Sequence, residues 1–173
     1  VKELVARAIH YSGIRSNENF VAINCAAIPE GLLESELFGH KKGAFTSADK
    51  DKTGKFEFAN KGTILLDEVG DMSLSLQSKL LRVLEQKVYF PLGSNEPIKL
   101  NARVIASTNK DLRKLIEEKK FRDDLYYRLN VVEINIPPLR ERRQDLPDLF
   151  AHMMDMYSRK LGKQVNKLSP DVE

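Results

Sequence analysis

The run Thr63-Ile64-Leu65-Leu66, followed at once by Asp67-Glu68, constrains this chain more than any other segment. A continuous apolar run without polar alternation suits a strand covered on both faces, and such strands belong to parallel sheets. In open parallel sheets, ligands sit beyond the carboxyl ends of the strands. Asp67 and Glu68 fall at that end. Neighbouring strand residues point to opposite sides, so the two acids can take separate roles. One can hold Mg²⁺ through its waters, and the other can orient or deprotonate a water that attacks a γ-phosphate. Turns are also polar, so the pair by itself leaves both readings open.

The rest of the chain alternates between the two periodicities. Leu4, Val5, Ala8 and Ile9 share one face of a helix over 2–12. A short strand is expected over 20–25 and a short helix over 31–38. Residues 39–54 are polar, lysine-rich and glycine-bearing, and read as an exposed loop or insertion. Ser73 is placed to cap a helix over 73–86 with Leu76, Leu80, Leu81 and Leu84 inward. Pro91, Gly93, Ser94 and Asn95 interrupt 88–100 as a hairpin would. A buried strand over 103–107, helices over 111–118 and 122–129, and a strand over 131–136 stopped by Pro137-Pro138 follow. An amphipathic helix over 145–161 and a capped helix start at Ser169-Pro170 close the chain. This alternation argues for an α/β domain with a parallel sheet.

Bulk properties narrow the function. The 173 residues are 42% hydrophobic and 31% charged, which suits a globular core. The formal net charge of +3 is dispersed. It lacks the basic stripe of a nucleic-acid surface. The single cysteine, Cys25, lies in an apolar run and reads as a buried reduced thiol rather than a nucleophile, which fits a reducing cytosol. No apolar run approaches membrane-spanning length.

Several polar residues carry a chemical reading beside a plain one. Thr108-Asn109 ends a strand, where an amide can bond a γ-phosphate or form a turn. Asn24 sits inside an apolar strand, and a buried amide needs a partner. Glu68 on the neighbouring strand is the candidate. Arg122 and Arg128 can pair with Asp123 or Asp124, or can reach a neighbouring subunit's phosphate as arginine fingers. Phe45 is an aromatic in a polar loop. It either folds back on its own chain or waits for a partner.

One ordered set of motifs goes further. It comprises Glu36-Leu37-Phe38-Gly39-His40, Gly43-Ala44-Phe45-Thr46-Ser47-Ala48, and Gly54-Lys55-Phe56-Glu57-Phe58-Ala59-Asn60-Lys61-Gly62-Thr63 leading into the acids. Phe121-Arg122 through Arg128-Leu129 and Pro137-Pro138-Leu139-Arg140-Glu141-Arg142 complete it. In this order they resemble the central AAA+ ATPase domain of sigma-54-dependent transcription activators, bacterial enhancer-binding proteins of the nitrogen-regulatory type. The likeness runs from Lys2 to about Pro170. It implies an AAA+ P-loop-type parallel sheet flanked by helices over 1–138, then a linker and the start of a helical lid over 139–173.

The resemblance also implies roles. Asp67 and Glu68 match the Walker B acids, with Asp67 holding Mg²⁺ through water. Asn24 matches the residue that restrains the catalytic glutamate. Thr108 and Asn109 match the sensor I segment, and Arg122 and Arg128 the arginine fingers. Lys2 matches the phosphate lysine, and Ala59, Asn60, Gly62 and Thr63 join the nucleotide-binding set. Gly43, Ala44, Phe45, Thr46, Ser47 and Ala48 match the sigma-54 contact loop. The implied activity is ATP hydrolysis in a cytoplasmic hexameric or heptameric ring that remodels the sigma-54 polymerase closed complex. DNA would be met only through another domain.

Two departures from the pattern shape the expectations. Val1 stands where the phosphate loop's last glycine belongs, and the strand before that loop does not precede it. The chain is therefore expected to be truncated, to carry an unpaired seam in its sheet, and to show little ATPase activity and bind little nucleotide alone. The sensor II arginine and a DNA-binding domain are expected after Glu173, and a receiver or sensory domain before Val1. Ser47 stands where the pattern has a glycine, and serine disfavours positive φ, which keeps alive a nucleotide-binding regulator of the same fold that does not remodel sigma-54. The chain as it stands leaves a further alternative, an inert, self-associating piece.

Overall fold

A computed structural model describes residues 1–162. The chain divides into two compact units, Val1–Glu133 and a second that begins at Ile134.

In chain order, the first unit contains α1 (Lys2–Tyr11), β1 (Phe20–Asn24), α2 (Glu30–Phe38), β2 (Gly39–His40), β3 (Lys52–Thr53), α3 (Lys55–Ala59) and β4 (Thr63–Asp67). A 3-10 turn over Val69–Asp71 leads to α4 (Leu74–Gln86), β5 (Val88–Tyr89), β6 (Ile98–Lys99), β7 (Arg103–Ala106), α5 (Leu112–Glu117) and α6 (Asp123–Leu129). The main sheet has the order β1-β4-β7, with both pairings parallel. Central β4 is the unbroken apolar run Thr63-Ile64-Leu65-Leu66 with Asp67 at its end. Ile64 and Leu66 are fully buried and Leu65 is 1% exposed. Each such side chain contributes about 1.5–3 kcal/mol by leaving water.

The register sets the site. Asn24 lies opposite Asp67, and Leu66 opposite Ala106, so all three strands end together. α4 buries the face read from its periodicity, whereas α1 does not: it buries Ala6 and His10, leaves Val5 and Ile9 half-buried, and exposes Leu4 and Ala8. Ser73 caps α4 by accepting from Leu76 N, and Leu76, Leu80, Leu81 and Leu84 are buried. Gln77 is fully buried on the same helix. Its Nε2 donates to Met72 O at 2.8 Å and Lys120 O at 3.0 Å, and its Oε1 accepts from Arg122 N at 2.9 Å. A satisfied buried amide of this kind fixes geometry, and here it fixes the start of α6.

Two strand expectations also need correction. β7 is half-buried, not buried: Arg103 is exposed and Val104, Ile105 and Ala106 are intermediate. It lies at the sheet edge with β4 as its one partner among the described residues. No strand forms over 131–136. Val131 and Val132 are each 80% exposed. A strand requires a ladder partner as well as the right composition, and none is found beside this segment among the described residues.

The second unit contains 3-10 turns at Leu139–Glu141 and Arg143–Asp145 and the helix α7 (Leu146–Leu161). Pro147 stands in the first turn of α7 and Gly162 ends it in the left-handed conformation. The expected helix start at Ser169-Pro170 lies outside the described residues. No described helix is long and apolar enough to cross a membrane.

Candidate functional site

At the carboxyl ends of β1, β4 and β7, the chain must leave the sheet three times within a small area. The turn after β4 decides the geometry. Asp67 continues the strand, its carbonyl accepting from Cys25 N at 2.9 Å. Glu68 turns into the left-handed region with φ +55°, a costly conformation for a residue with a side chain. That reversal aims the two acids apart.

Asp67 Oδ1 accepts from Ser107 Oγ and from Glu68 N at 3.1 Å. Glu68 Oε1 meets Lys2 Nζ at 2.9 Å, and its Oε2 accepts from Asn109 N, also at 2.9 Å. The Lys2–Glu68 pair is partly shielded, with side chains 30% and 17% exposed. Lys2 opens α1, so a cation at a helix N-terminus faces the catalytic carboxylate candidate. A phosphate drawn to Lys2 and to that N-terminus competes with Glu68 for the ammonium group. Lys110 Nζ pairs with Asp71 Oδ1 at 2.5 Å, and Gly70 lets Thr108 lie close. A Cβ at Gly70 would stand 3.1 Å from Thr108 Oγ1.

The structure brings Lys2, Asp67, Glu68, Thr108 and Asn109 to one place and leaves other candidates elsewhere. Asn24 does not meet Glu68. It is exposed, and its Oδ1 accepts from Ala26 N at 2.9 Å and Ala27 N at 3.1 Å. It serves its own turn because its side chain points away from the face that buries Val21 and Ile23. Asn109 contributes its backbone N–H to Glu68, not its amide side chain. Ala59, Asn60, Gly62 and Thr63 lie at or before the amino end of β4, roughly 13 Å along the strand from Asp67 at about 3.3 Å per residue. Thr63 is instead a packing residue, its Oγ1 2.9 Å from His10 Nδ1 in the core. A cleft of about 710 Å³ opens at that end, lined by His10, Arg15, Thr63, Lys87 and Arg103 among others. Arg15 Nη1 already donates there to the carbonyls of Lys61, Gly62 and Asn101.

The arginines take the ion-pair and backbone-binding arrangement within this chain. Arg122 forks onto Asp124 at 3.0 and 2.6 Å, which raises the guanidinium pKa and lowers that of the carboxyl. Arg128 Nη2 donates to Leu84 O at 3.0 Å. Cys25 is 3% exposed. Burial first, then the charges of Asp67, Asp71 and Glu68, push its thiol up to about 12, so it is no nucleophile. In the 43–48 loop, Gly43 takes a positive φ of +81° and Ser47 does not, so serine fits its position without strain. Phe45 is folded back, edge-on to His40.

Periodicity missed three positioning residues. Ser107 braces Asp67, Gln77 holds the start of α6, and His40 meets Phe45. Only Gln77 left a sequence signal, as a polar residue on an otherwise apolar helix face.

The family model "Sigma-54 interaction domain" matches residues 1–135. The chain is 53% identical over 172 residues to the putative uric acid sigma-54-dependent transcriptional regulator UacR of Escherichia coli, covering 99% of this chain and 29% of that protein. It is 49% identical over 172 residues to the transcriptional regulator NtrC of Salmonella typhimurium, covering 99% and 37%. The crystal structure of NtrX from Brucella abortus in complex with ADP matches with a TM-score of 0.88 and 39% identity, covering 98% of this chain and 37% of that one. Hsp104, at 17% identity and a TM-score of 0.56, shares the fold alone. The chain thus spans about a third of the length of the relatives it matches.

Proposed function

The chain belongs to the sigma-54 interaction domain family, and from that membership we propose that it is the nucleotide-driven part of a bacterial transcription activator acting on sigma-54 RNA polymerase. The protein that carries it hydrolyses ATP in a cytoplasmic hexameric or heptameric ring. The 43–48 loop meets sigma-54 and transmits the work of hydrolysis to the closed promoter complex. DNA is bound by a different domain, and no membrane is involved.

One observation carries this reading: Lys2, Asp67, Glu68 and the 107–109 backbone converge where three parallel strands end. Lys2 binds the phosphates. Their arrival releases Glu68 from its ion pair, and Asn109 N–H keeps the carboxylate oriented toward an attacking water. Glu68 then takes the water's proton.

The donor set fits Mg²⁺. Among the described residues no cluster of three acidic, His or Cys side chains could cage a metal, and Mg²⁺ in nucleotide sites takes one or two carboxylates plus phosphates while keeping its waters. Asp67 supplies such a carboxylate, braced on one oxygen by Ser107 Oγ. When bound, the ion neutralises charge on the transferred phosphoryl group. Arg122, at the N-cap of α6 and forked onto Asp124, and Arg128, on α6 with its Nη2 on Leu84 O, are engaged away from Asp67 and Glu68, which supports their use across a ring interface, where Arg122 would exchange Asp124 for a neighbour's phosphate.

The test uses the whole protein. Glu68→Gln is expected to bind ATP while hydrolysis falls by roughly 10²–10⁴-fold, and the unsubstituted protein is expected to capture sigma-54 only with a transition-state nucleotide analogue. Hydrolysis unchanged by Glu68→Gln removes Glu68 from its role. Absence of capture with the analogue favours a regulator that binds nucleotide without remodelling.

A further inference from the structure

We propose that His40 is the docking point for Phe45 within its own chain, a positioning residue that governs when the 43–48 loop presents its aromatic ring. The proposal rests on reading that loop as the sigma-54 contact.

The two sides of this contact differ in how firmly they are held. His40 belongs to a fixed base. It pairs with Lys52 in the β2–β3 ladder and bridges to Leu92. Leu92 N donates to Gly39 O at 3.0 Å, and Lys41 N donates to Leu92 O at 2.9 Å. The His40 ring is oriented by a bond of 2.7 Å between its Nδ1 and Ser35 Oγ, a hydroxyl on the buried side of α2. Backbone and side chain are thus both anchored outside the loop.

Phe45 belongs to a small turn closed on itself. Gly43 N donates to Ala48 O at 2.8 Å, and Ala48 N to Phe45 O at 2.9 Å. Asp51 clips the entry by accepting from Lys42 N and pairing with Lys41 Nζ. Gly93 backs the turn, since a Cβ there would stand 2.8 Å from Ala44 Cβ. Lys41, Lys42, Gly43, Thr46 and Ser47 are exposed, while Phe45 is half-buried. Its ring centroid lies 4.9 Å from that of His40 at an interplanar angle of 66°, an edge-to-face geometry that favours association of two rings. Releasing this one ring contact exposes Phe45 and leaves the ladder beneath it intact. The loop therefore has a sheltered and a presented state that differ by a single side-chain pairing.

The chain contains no tryptophan, so Phe45→Trp in the full 173-residue chain is a sole reporter. Acrylamide quenching of that indole is expected to rise roughly twofold or more in His40→Ala and to return in His40→Phe, which restores an aromatic partner. Ser35→Ala, which keeps the imidazole but frees its ring, is expected to give an intermediate value and guards against a folding defect in His40→Ala. Equal quenching in all four backgrounds overturns the docking. In the protein with native Phe45, His40→Ala is expected to raise sigma-54 affinity without nucleotide roughly three- to tenfold, and His40→Phe to leave it unchanged. Quenching that responds while sigma-54 affinity does not leaves the docking standing and overturns the contact role of the loop.

Discussion

Replacing Tyr89 with Phe should stabilise the first unit, an unusual direction for a substitution in a buried cluster. Tyr89 is 2% exposed and packs with Phe56 at 5.8 Å and Phe38 at 6.0 Å between ring centroids. Its hydroxyl has no hydrogen-bond partner among the described residues. Burying such a group without a partner costs about 1–3 kcal/mol in proteins, while the ring contacts survive the change. Tyr89→Phe is therefore expected to gain about 1 kcal/mol, which for a unit of this size raises Tm by about 4 °C. A second signature follows from ionisation. Burial, and then the charge of Glu57, raises the phenol well above its ordinary value of 10. Above pH 10 the unfolded chain loses this proton and the folded chain keeps it, so folding stability declines by about 1.4 kcal/mol per pH unit until the folded phenol also ionises. Tyr89→Phe lacks that component, whereas other alkaline effects are common to both proteins. Urea unfolding at pH 8 and at several values above pH 10 measures both. A loss of more than about 0.5 kcal/mol at pH 8, or parallel alkaline slopes, refutes an unpartnered hydroxyl.

Cys25 should resist thiol reagents at pH 8 and label only as fast as the protein unfolds. Its thiol, raised from 9.0 to about 12, contributes stability that is complete below pH 9 and is lost as pH rises toward 12; labelling of the native chain at the rate of a free peptide thiol contradicts this. Gly62→Ala should destabilise by at least about 2 kcal/mol in urea, because a Cβ there would stand 1.9 Å from Asn19 O, the acceptor of Thr63 N. A change below about 0.5 kcal/mol would show that the junction of β1 and β4 can open freely.

The elements legible in the sequence were those whose cause is local or periodic. β4 announced itself by an unbroken apolar run, α4 by its cap and leucine spacing, and the 88–99 hairpin by Pro91, Gly93 and Asn95. The segment 131–136 has the composition of a strand and lacks a ladder, because pairing depends on what stands beside a residue and not on the residue itself. The site divides in the same way. That Asp67 and Glu68 end a strand follows from the run. The capture of Glu68 by Lys2, 66 positions away in the chain, follows from the fold. Asn24 shows the hazard of reading alternation too loosely: Val21 and Ile23 own the buried face of β1, which leaves Asn24 on the exposed one.

Gly39 and Gly54 meet so closely that a methyl group on Gly39 would stand 2.4 Å from Lys52 O and one on Gly54 2.4 Å from Gly39 N. The fold thus holds residues 40–53 mainly at their base, through the two glycines, His40 on Ser35, Lys52 on Glu36 and the touch of Leu92 and Gly93. Such a segment is an exchangeable cassette. Insertions beyond the base are expected to leave the register of the main sheet alone, and, if 43–48 is the contact loop proposed above, a loop transplanted between the two glycines is expected to bring its donor's specificity with it.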